Sequence, residues 1–170
     1  MWGSYAKLES FHVVALFVAT CVWSTVLANQ TKVPGNLSAT LRDHVKKERF
    51  EIVTSLRGLP LGVRDGLQTL FGSQTLDIAE PKAAFQGTGA GRNQKLPLRR
   101  LAAAGCSMDH CLVYYERGGD THTWLVALFH WTPDATRFEW GGSARSGLAT
   151  IDEVRNAVVS GTVQGPVTSW

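Results

Sequence analysis

The sequence predicts an α+β domain, in which an antiparallel sheet of about four to five strands carries two N-terminal helices and one C-terminal helix. Apolar residues recur at helical spacing before residue 72, and the pattern changes to period two between residues 96 and 140. A helix-capping sequence then follows at Thr150. Helices gathered at the two ends of a run of strands are typical of α+β rather than alternating α/β domains.

The first helix is predicted from a cap at Asn36 or Ser38 to about Leu56, and the second helix from Val63 to Phe71, with Gly72 just past its end. The third helix begins at the capping box of Thr150 and ends at Gly161. The apolar positions expected to pack the first helix on the sheet are Leu41, Val45, Ile52 and Leu56.

Four segments are predicted as strands: Leu96–Ala104, Leu112–Arg117, Thr121–Trp131 and Arg137–Trp140. The third segment is apolar on both of its faces, so we expect it in the centre of the sheet, with helices covering at least one face. Gly141-Gly142 is expected to end the last strand, and the tail to Trp170 to be irregular.

The chain begins with a candidate export segment. Residues 11–28 are largely apolar, and Val26 and Ala28 match the small-residue pattern of a cleavage site, which predicts a signal peptide over residues 1–28. The run is also long enough to be an uncleaved N-terminal anchor. Both interpretations place residues 29–170 outside the cytoplasm, in a periplasmic or secreted protein. We expect a flexible leader over 29–36, one globular domain over 37–165 and a tail over 166–170.

The charge pattern argues against nucleic acid as a partner. The chain has a formal net charge of +3, and loss of residues 1–28 leaves it unchanged because Lys7 and Glu9 cancel. The Lys and Arg residues do not form a cluster dense enough to follow a phosphate backbone. Contact with a membrane is expected only if the N-terminal segment is uncleaved.

Cys106 and Cys111 are the cysteines of the expected exported part, since Cys21 lies in the apolar run. An even number of cysteines in an oxidising compartment predicts a disulfide bond. Closing so short a loop contributes only about 2 kcal/mol on the loop-length model. The bond is therefore better explained by the local shape that it imposes on the residues between the cysteines.

Enzymatic and metal sites find little support in the sequence, and we predict a protein that is not an enzyme and has no cofactor. A cysteine nucleophile at Cys106 or Cys111, beside His110, needs a free thiol. His122 and His130 share a strand face but lie about 26 Å apart along an extended chain, so the two side chains cannot ligate one ion unaided. The preferred interpretation is that each strand histidine has its own hydrogen-bond partner.

From the residues alone, the loop between the cysteines has two possible roles. An exposed disulfide loop with Asp109 and His110 at its tip has a shape that a binding protein can insert into a cleft. The same loop would also serve as a bridged turn that only joins two strands.

The loop Cys106-Ser107-Met108-Asp109-His110-Cys111 resembles that of the inhibitor of vertebrate lysozyme family, a group of exported bacterial proteins that block lysozymes. That family carries a loop of Cys-Lys-Pro-His-Asp-Cys type with the same cysteine spacing. Here Ser and Met replace Lys and Pro, and His and Asp stand in exchanged order. The resemblance continues weakly, in order, from Leu59-Pro60 to the closing helix.

The resemblance implies an inhibitory loop made of Ser107, Met108, Asp109 and His110, with a lysozyme-like muramidase as the partner. His110 would hydrogen-bond the two carboxyl groups that flank the scissile sugar bond in such an enzyme, and Asp109 would pair with basic groups on the cleft rim. Two alternatives stay open: an exported envelope protein of the same fold with a structural or binding role, and a thiol-active protein. A homodimer is also left open.

Overall fold

A computed structural model of the chain describes residues 36–89, 93–167 and 169–170, and all of them belong to one compact unit, residues 32–170. The predicted signal peptide or anchor and nearly all of the leader lie outside the described residues. Within the described ranges, none of the helices combines the length and the hydropathy needed to cross a membrane.

The described residues form three α-helices, one short 3-10 turn at Leu56–Gly58 and a six-stranded sheet. The helices are α1 (Ala39–Lys47), α2 (Leu61–Phe71) and α3 (Ile151–Ser160). The strands are β1 (Glu51–Val53), β2 (Ile78–Ala79), β3 (Arg99–Cys106), β4 (His110–Arg117), β5 (Thr123–Trp131) and β6 (Thr136–Ala144). The predicted α+β class is confirmed.

The strands follow the order β1-β3-β4-β5-β6 with antiparallel pairing throughout, and the two-residue β2 joins β3 in parallel. Strand β5 therefore lies inside the sheet, between β4 and β6, as its two apolar faces predicted. The β3–β4 and β4–β5 connections are tight hairpins.

Each face of the sheet carries its own core. On one face, α1 and α3 contribute Val45, Ile151, Val154 and Val158 to a cluster with Leu112, Tyr114, Val126 and Leu128. On the other face, Val63 and Leu67 of α2 pack against Val113, Tyr115, Ala127 and Phe129. Alternate residues of β4 and β5 thus enter opposite cores, which is the expected consequence of the two-residue strand period.

Tyr114 shows how the first core satisfies its polar groups. Its hydroxyl donates to the Ser146 carbonyl at 3.0 Å and accepts from the Leu148 N–H at 3.1 Å. Burial raises the pKa of the Tyr114 phenol to about 12, because the charged form would lose its hydration.

The predicted helix caps are largely confirmed. The Ser38 hydroxyl accepts from the Leu41 N–H at 3.2 Å, and the Thr150 hydroxyl accepts from the Glu153 N–H at 3.2 Å. Gly72 and Gly161 end α2 and α3 in the left-handed conformation that glycine adopts without a Cβ penalty.

The predicted extent of the first helix is wrong, because α1 ends at Lys47 instead of continuing to Leu56. Glu48 is extended, and Glu51–Val53 pairs with β3, with Ile52 opposite Gly105. Ile52 is 74 % exposed rather than part of the core. Backbone pairing with the sheet edge and the contacts of the Glu48 side chain replace the helical turns that the apolar spacing favoured.

The last strand is longer than predicted, since β6 continues through Gly141-Gly142 to Ala144. A Cβ at Gly141 would lie 2.1 Å from the Trp170 ring. Trp170 in turn contacts Phe138, with 5.2 Å between the ring centroids. Because Gly141 has no side chain, Trp170 at the end of the chain can pack against the sheet, and the strand continues through this position.

Candidate functional site at the disulfide turn

The β3–β4 hairpin ends in a turn that is closed by a disulfide bond between Cys106 and Cys111, and we call residues 106–111 the disulfide turn. The two cysteines are register partners, and their sulfurs are 2.06 Å apart. The predicted disulfide bond is therefore present. Cys111 is buried among the residues of the α2-side core, while Cys106 is half-buried.

Backbone and side-chain hydrogen bonds hold the disulfide turn in one shape. The Ser107 N–H donates to the His110 carbonyl at 2.7 Å, and the Ser107 hydroxyl accepts from the His110 N–H at 2.9 Å. From the neighbouring strand, Trp131 donates its backbone N–H to the Asp109 carbonyl at 2.9 Å and its indole N–H to the Ser107 carbonyl at 3.3 Å.

The side chains of the disulfide turn divide into an exposed pair and an inward-facing pair. Met108 is 89 % exposed and Asp109 is also exposed, so these two form the tip. Ser107 is half-buried and His110 is only 3 % exposed. The expectation that His110 projects from the tip is wrong, because its imidazole turns back into the protein.

The buried imidazole of His110 contacts two carboxylates, one at each ring nitrogen. His110 Nδ1 lies 2.6 Å from Glu48 Oε1, and His110 Nε2 lies 3.1 Å from Glu139 Oε2. A buried ring nitrogen needs a hydrogen-bond partner in place of water, and these carboxylates provide one on each side. Their side chains are only 17 % and 13 % exposed, so their interactions with the ring are weakly screened by solvent.

Glu48 reaches the disulfide turn because α1 ends one residue before it. Its second oxygen, Oε2, accepts a hydrogen bond from the Ser107 hydroxyl, and its backbone carbonyl accepts from Arg155 Nη1 at 3.1 Å. The early end of α1 thus places the Glu48 carboxylate behind the disulfide turn, where it forms hydrogen bonds with both Ser107 and His110.

Glu139 reaches His110 by way of a β-bulge. Leu128 pairs with Trp140 and Phe129 pairs with Phe138, so Glu139 has no register partner of its own on β5. Such an extra residue re-aims its side chain, here toward the face that carries His110. Arg137 donates to Glu139 Oε1 at 2.7 Å and leaves Oε2 directed at the imidazole.

His130 completes the cluster from the neighbouring strand. His110 and His130 are register partners on β4 and β5, and their ring centroids lie 5.4 Å apart. The exposed His44 on α1 lies farther out, with its ring centroid 6.2 Å from that of His110. We call His110, His130, Glu48 and Glu139 the His110 cluster.

His122, in contrast, is separate from this cluster. Its Nε2 lies 2.8 Å from Glu116 Oε2, and Arg100 binds the other oxygen of Glu116 at 2.6 Å. His122 therefore has the hydrogen-bond partner that was expected of each of these two histidines, whereas the His130 ring makes no hydrogen bond within the described residues.

Glu48, Glu139 and the pairing of His130 with His110 were not predicted from the sequence. The pairing depends on the centre of the β4–β5 hairpin, which lies at Asp120 with the two histidines ten residues to either side. The predicted strand ends, Arg117 and Thr121, centre the hairpin on residue 119 and would set His110 opposite Leu128. The positions of the two carboxylates depend on a helix end and a bulge that carry no clear sequence signal.

Comparison of the chain with protein-family models, curated proteins and solved structures returns no significant match. Functional inference therefore starts from the geometry of the disulfide turn and of the His110 cluster.

Proposed function

We propose that this chain is an exported inhibitor that docks its disulfide turn in the active-site cleft of a lysozyme-like glycosidase. The observation that carries the proposal is a disulfide-closed tip with an 89 % exposed methionine, held from behind by the buried His110 and its two carboxylate partners. A disulfide bond in a small domain is compatible with a location outside the cytoplasm, either in the periplasm or as a secreted protein.

Met108 is the natural anchor of the contact. It is an unbranched apolar side chain at the apex of the turn, and such side chains adapt to irregular pockets. Full burial of an apolar side chain of this size contributes about 1.5–3 kcal/mol. A sugar-binding cleft with apolar walls would supply that burial.

The surface beside the tip extends the contact. A groove of about 390 Å³ lies between β1 and Trp131 and is lined by Ile52, Pro60, Cys106 and Ser107 among others. Ile52 on the sheet edge is 74 % exposed. Tip and groove together offer a contact larger than one loop, as a stable protein–protein complex requires.

Asp109 limits how the tip can enter the cleft. Its carboxylate would be repelled by the two carboxyl groups that flank the scissile bond in a lysozyme-like enzyme. We therefore expect Met108 to point toward the centre of the cleft and Asp109 to pair with basic groups on the rim.

In this mechanism His110 supports the tip and does not contact the target. Its hydrogen bonds to the two carboxylates, together with the Ser107 contacts, fix the turn before binding. A turn that is already ordered loses less conformational entropy on docking, which favours tight association. The proposal therefore keeps the target class that the sequence resemblance implies and assigns a different residue to the contact.

The alternatives have less support from the geometry. A thiol-active protein needs an accessible free thiol, whereas Cys111 is buried and bonded to Cys106. A purely structural envelope protein is distinguished by experiment: it predicts that Met108→Glu changes neither binding nor lysis, since a single exposed apolar residue is common on protein surfaces.

A lysis assay tests the proposal. The oxidised protein, added at micromolar concentration, is expected to slow the lysis of a bacterial suspension by a vertebrate lysozyme. Met108→Glu should weaken inhibition by about tenfold to a hundredfold, because it removes the apolar burial and adds a charge that the cleft carboxylates repel. Asp65→Ala, at an exposed position on α2, is the control and should inhibit like the unchanged protein. Undiminished lysis at micromolar protein would refute the proposal.

A further inference from the structure

Three potential metal ligands converge beneath the disulfide turn. One ligand atom from each of His110, His130 and Glu139 lies within 4.8 Å of the others. The residues come from three adjacent strands, β4, β5 and β6, so the sheet itself holds them together. His110 is buried, and His130 and Glu139 are half-buried, which leaves the group reachable from solvent on one side.

Both ring nitrogens of His110 face a carboxylate oxygen. Nδ1 lies 2.6 Å from Glu48 Oε1, which leaves Nε2 as the nitrogen that faces Glu139 Oε2 at 3.1 Å. An imidazole nitrogen without its proton and a carboxylate oxygen can each donate a lone pair to a metal ion. An ion between Nε2 and Oε2 would take the place of the hydrogen that joins them.

His130 adds a second imidazole to this pair. It is the register partner of His110 on β5, and its ring contacts that of His110. Two imidazoles and one carboxylate are the ligand types that zinc accepts in sites that keep a fourth position open.

We propose that His110 Nε2, His130 and Glu139 bind one divalent transition-metal ion, with zinc the best match. Zinc–ligand distances of about 2.0–2.1 Å place tetrahedral ligands roughly 3.3 Å apart. The separation of His110 Nε2 and Glu139 Oε2 already matches this value, at 3.1 Å. The other ligand-atom separations are within 4.8 Å, so binding of one ion would draw the His130 nitrogen closer to the other two ligands.

Two further residues orient the ligands. Glu48 fixes the tautomer and the plane of His110 through Nδ1, as carboxylates commonly do for metal-bound histidines. Arg137 holds Glu139 Oε1 at 2.7 Å and leaves Oε2 for the ion. Because the Glu48 carboxylate also accepts from Ser107, an ion at this position would tie the β4–β5–β6 end of the sheet to the disulfide turn.

The test is a calorimetric titration of zinc into the full chain, produced without a histidine tag and freed of metal, with Co²⁺ absorption as a second readout. We expect one ion per chain with a dissociation constant in the micromolar range or below, and Co²⁺ bands typical of four-coordination. His130→Gln should weaken binding at least tenfold, and Glu48→Gln by about 10–100-fold.

His122→Gln is the matched control, since His122 is also bonded to a glutamate but lies outside the cluster. It should bind zinc like the unchanged protein. His130 carries no hydrogen bond on which the fold depends in the described structure, and circular dichroism and urea unfolding verify that its variant is folded. Absence of zinc binding at 100 μM in a folded protein, unchanged affinity in His130→Gln, or loss of binding in His122→Gln would each overturn the proposal.

Discussion

At the scale of single residues, His110 explains why the disulfide turn has its observed shape. His110, which precedes the second cysteine, turns inward because its two ring nitrogens contact the carboxylates of Glu48 and Glu139. Met108 and Asp109 are left to form the exposed tip. The position of His110 directly beside Cys111 therefore has a structural consequence. The imidazole belongs to the protein's own interior.

We predict that His110→Ala lowers the free energy of unfolding by about 2–4 kcal/mol. The substitution leaves two poorly solvated carboxylates without their shared partner, although Ser107 and Arg137 still satisfy part of each. Urea unfolding followed by tryptophan fluorescence measures the change.

His122→Ala is the control for this prediction, because Glu116 retains Arg100 and the His122 side chain is 40 % exposed. Its expected cost is below about 1 kcal/mol. Equal costs for the two histidine variants would show that the His110 cluster contributes nothing special to stability.

The partners of His110 differ in how far they could be predicted. The pairing of His130 with His110 needs the exact centre of the β4–β5 hairpin, and the predicted strand ends place that centre one residue too early. The side chain of Glu139 points toward His110 because of a β-bulge, and that of Glu48 because α1 ends early. The residues at the bulge and at the helix end do not differ in type from those of regular strands and helices. Tertiary contacts override the local pattern at both places.

At the scale of elements, the β3–turn–β4 hairpin is the unit that carries the proposed function. Its strands lie within the sheet, so the tip is anchored to the rigid part of the molecule. The disulfide bond closes a short loop between residues that already pair, which limits its contribution to global stability. Its larger effect is expected on the order of the tip.

The double variant Cys106→Ser with Cys111→Ser tests this division of effects. We expect the variant to fold, to lose about 2 kcal/mol of unfolding free energy, and to inhibit lysozyme at least tenfold less well. Denaturant unfolding and the lysis assay measure the two quantities on the same sample. Full inhibition by the destabilised variant would mean that docking does not depend on a closed turn.

Most elements were predictable because their apolar residues follow one clear period. The two-sided apolar pattern of β5 placed it inside the sheet, and the caps at Ser38 and Thr150 marked two helix starts. The end of α1 was not predictable from spacing, since Ile52 continues the helical pattern while the backbone pairs with β3. The pairing of residues 51–53 with the edge of the sheet determines their extended conformation. The spacing of apolar residues in the sequence does not reveal this pairing.

At the scale of the whole molecule, the two-core sheet places the disulfide turn at one end of the central strands. Helices pack on both faces of the sheet, and the proposed contact depends on the tip and on the groove beside Ile52. A net charge of +3 gives no long-range attraction toward a basic lysozyme. Recognition would therefore depend on short-range fit at the tip.

Competition for the cleft is the most direct test of the central claim that the tip occupies the catalytic groove. Calorimetric titration of the oxidised protein into a vertebrate lysozyme should show one-to-one binding with a dissociation constant at or below the micromolar range. The same titration with the cleft filled by a chitin oligosaccharide should show no binding. Binding of undiminished strength to the filled enzyme, or the absence of binding to the free enzyme, would contradict the account.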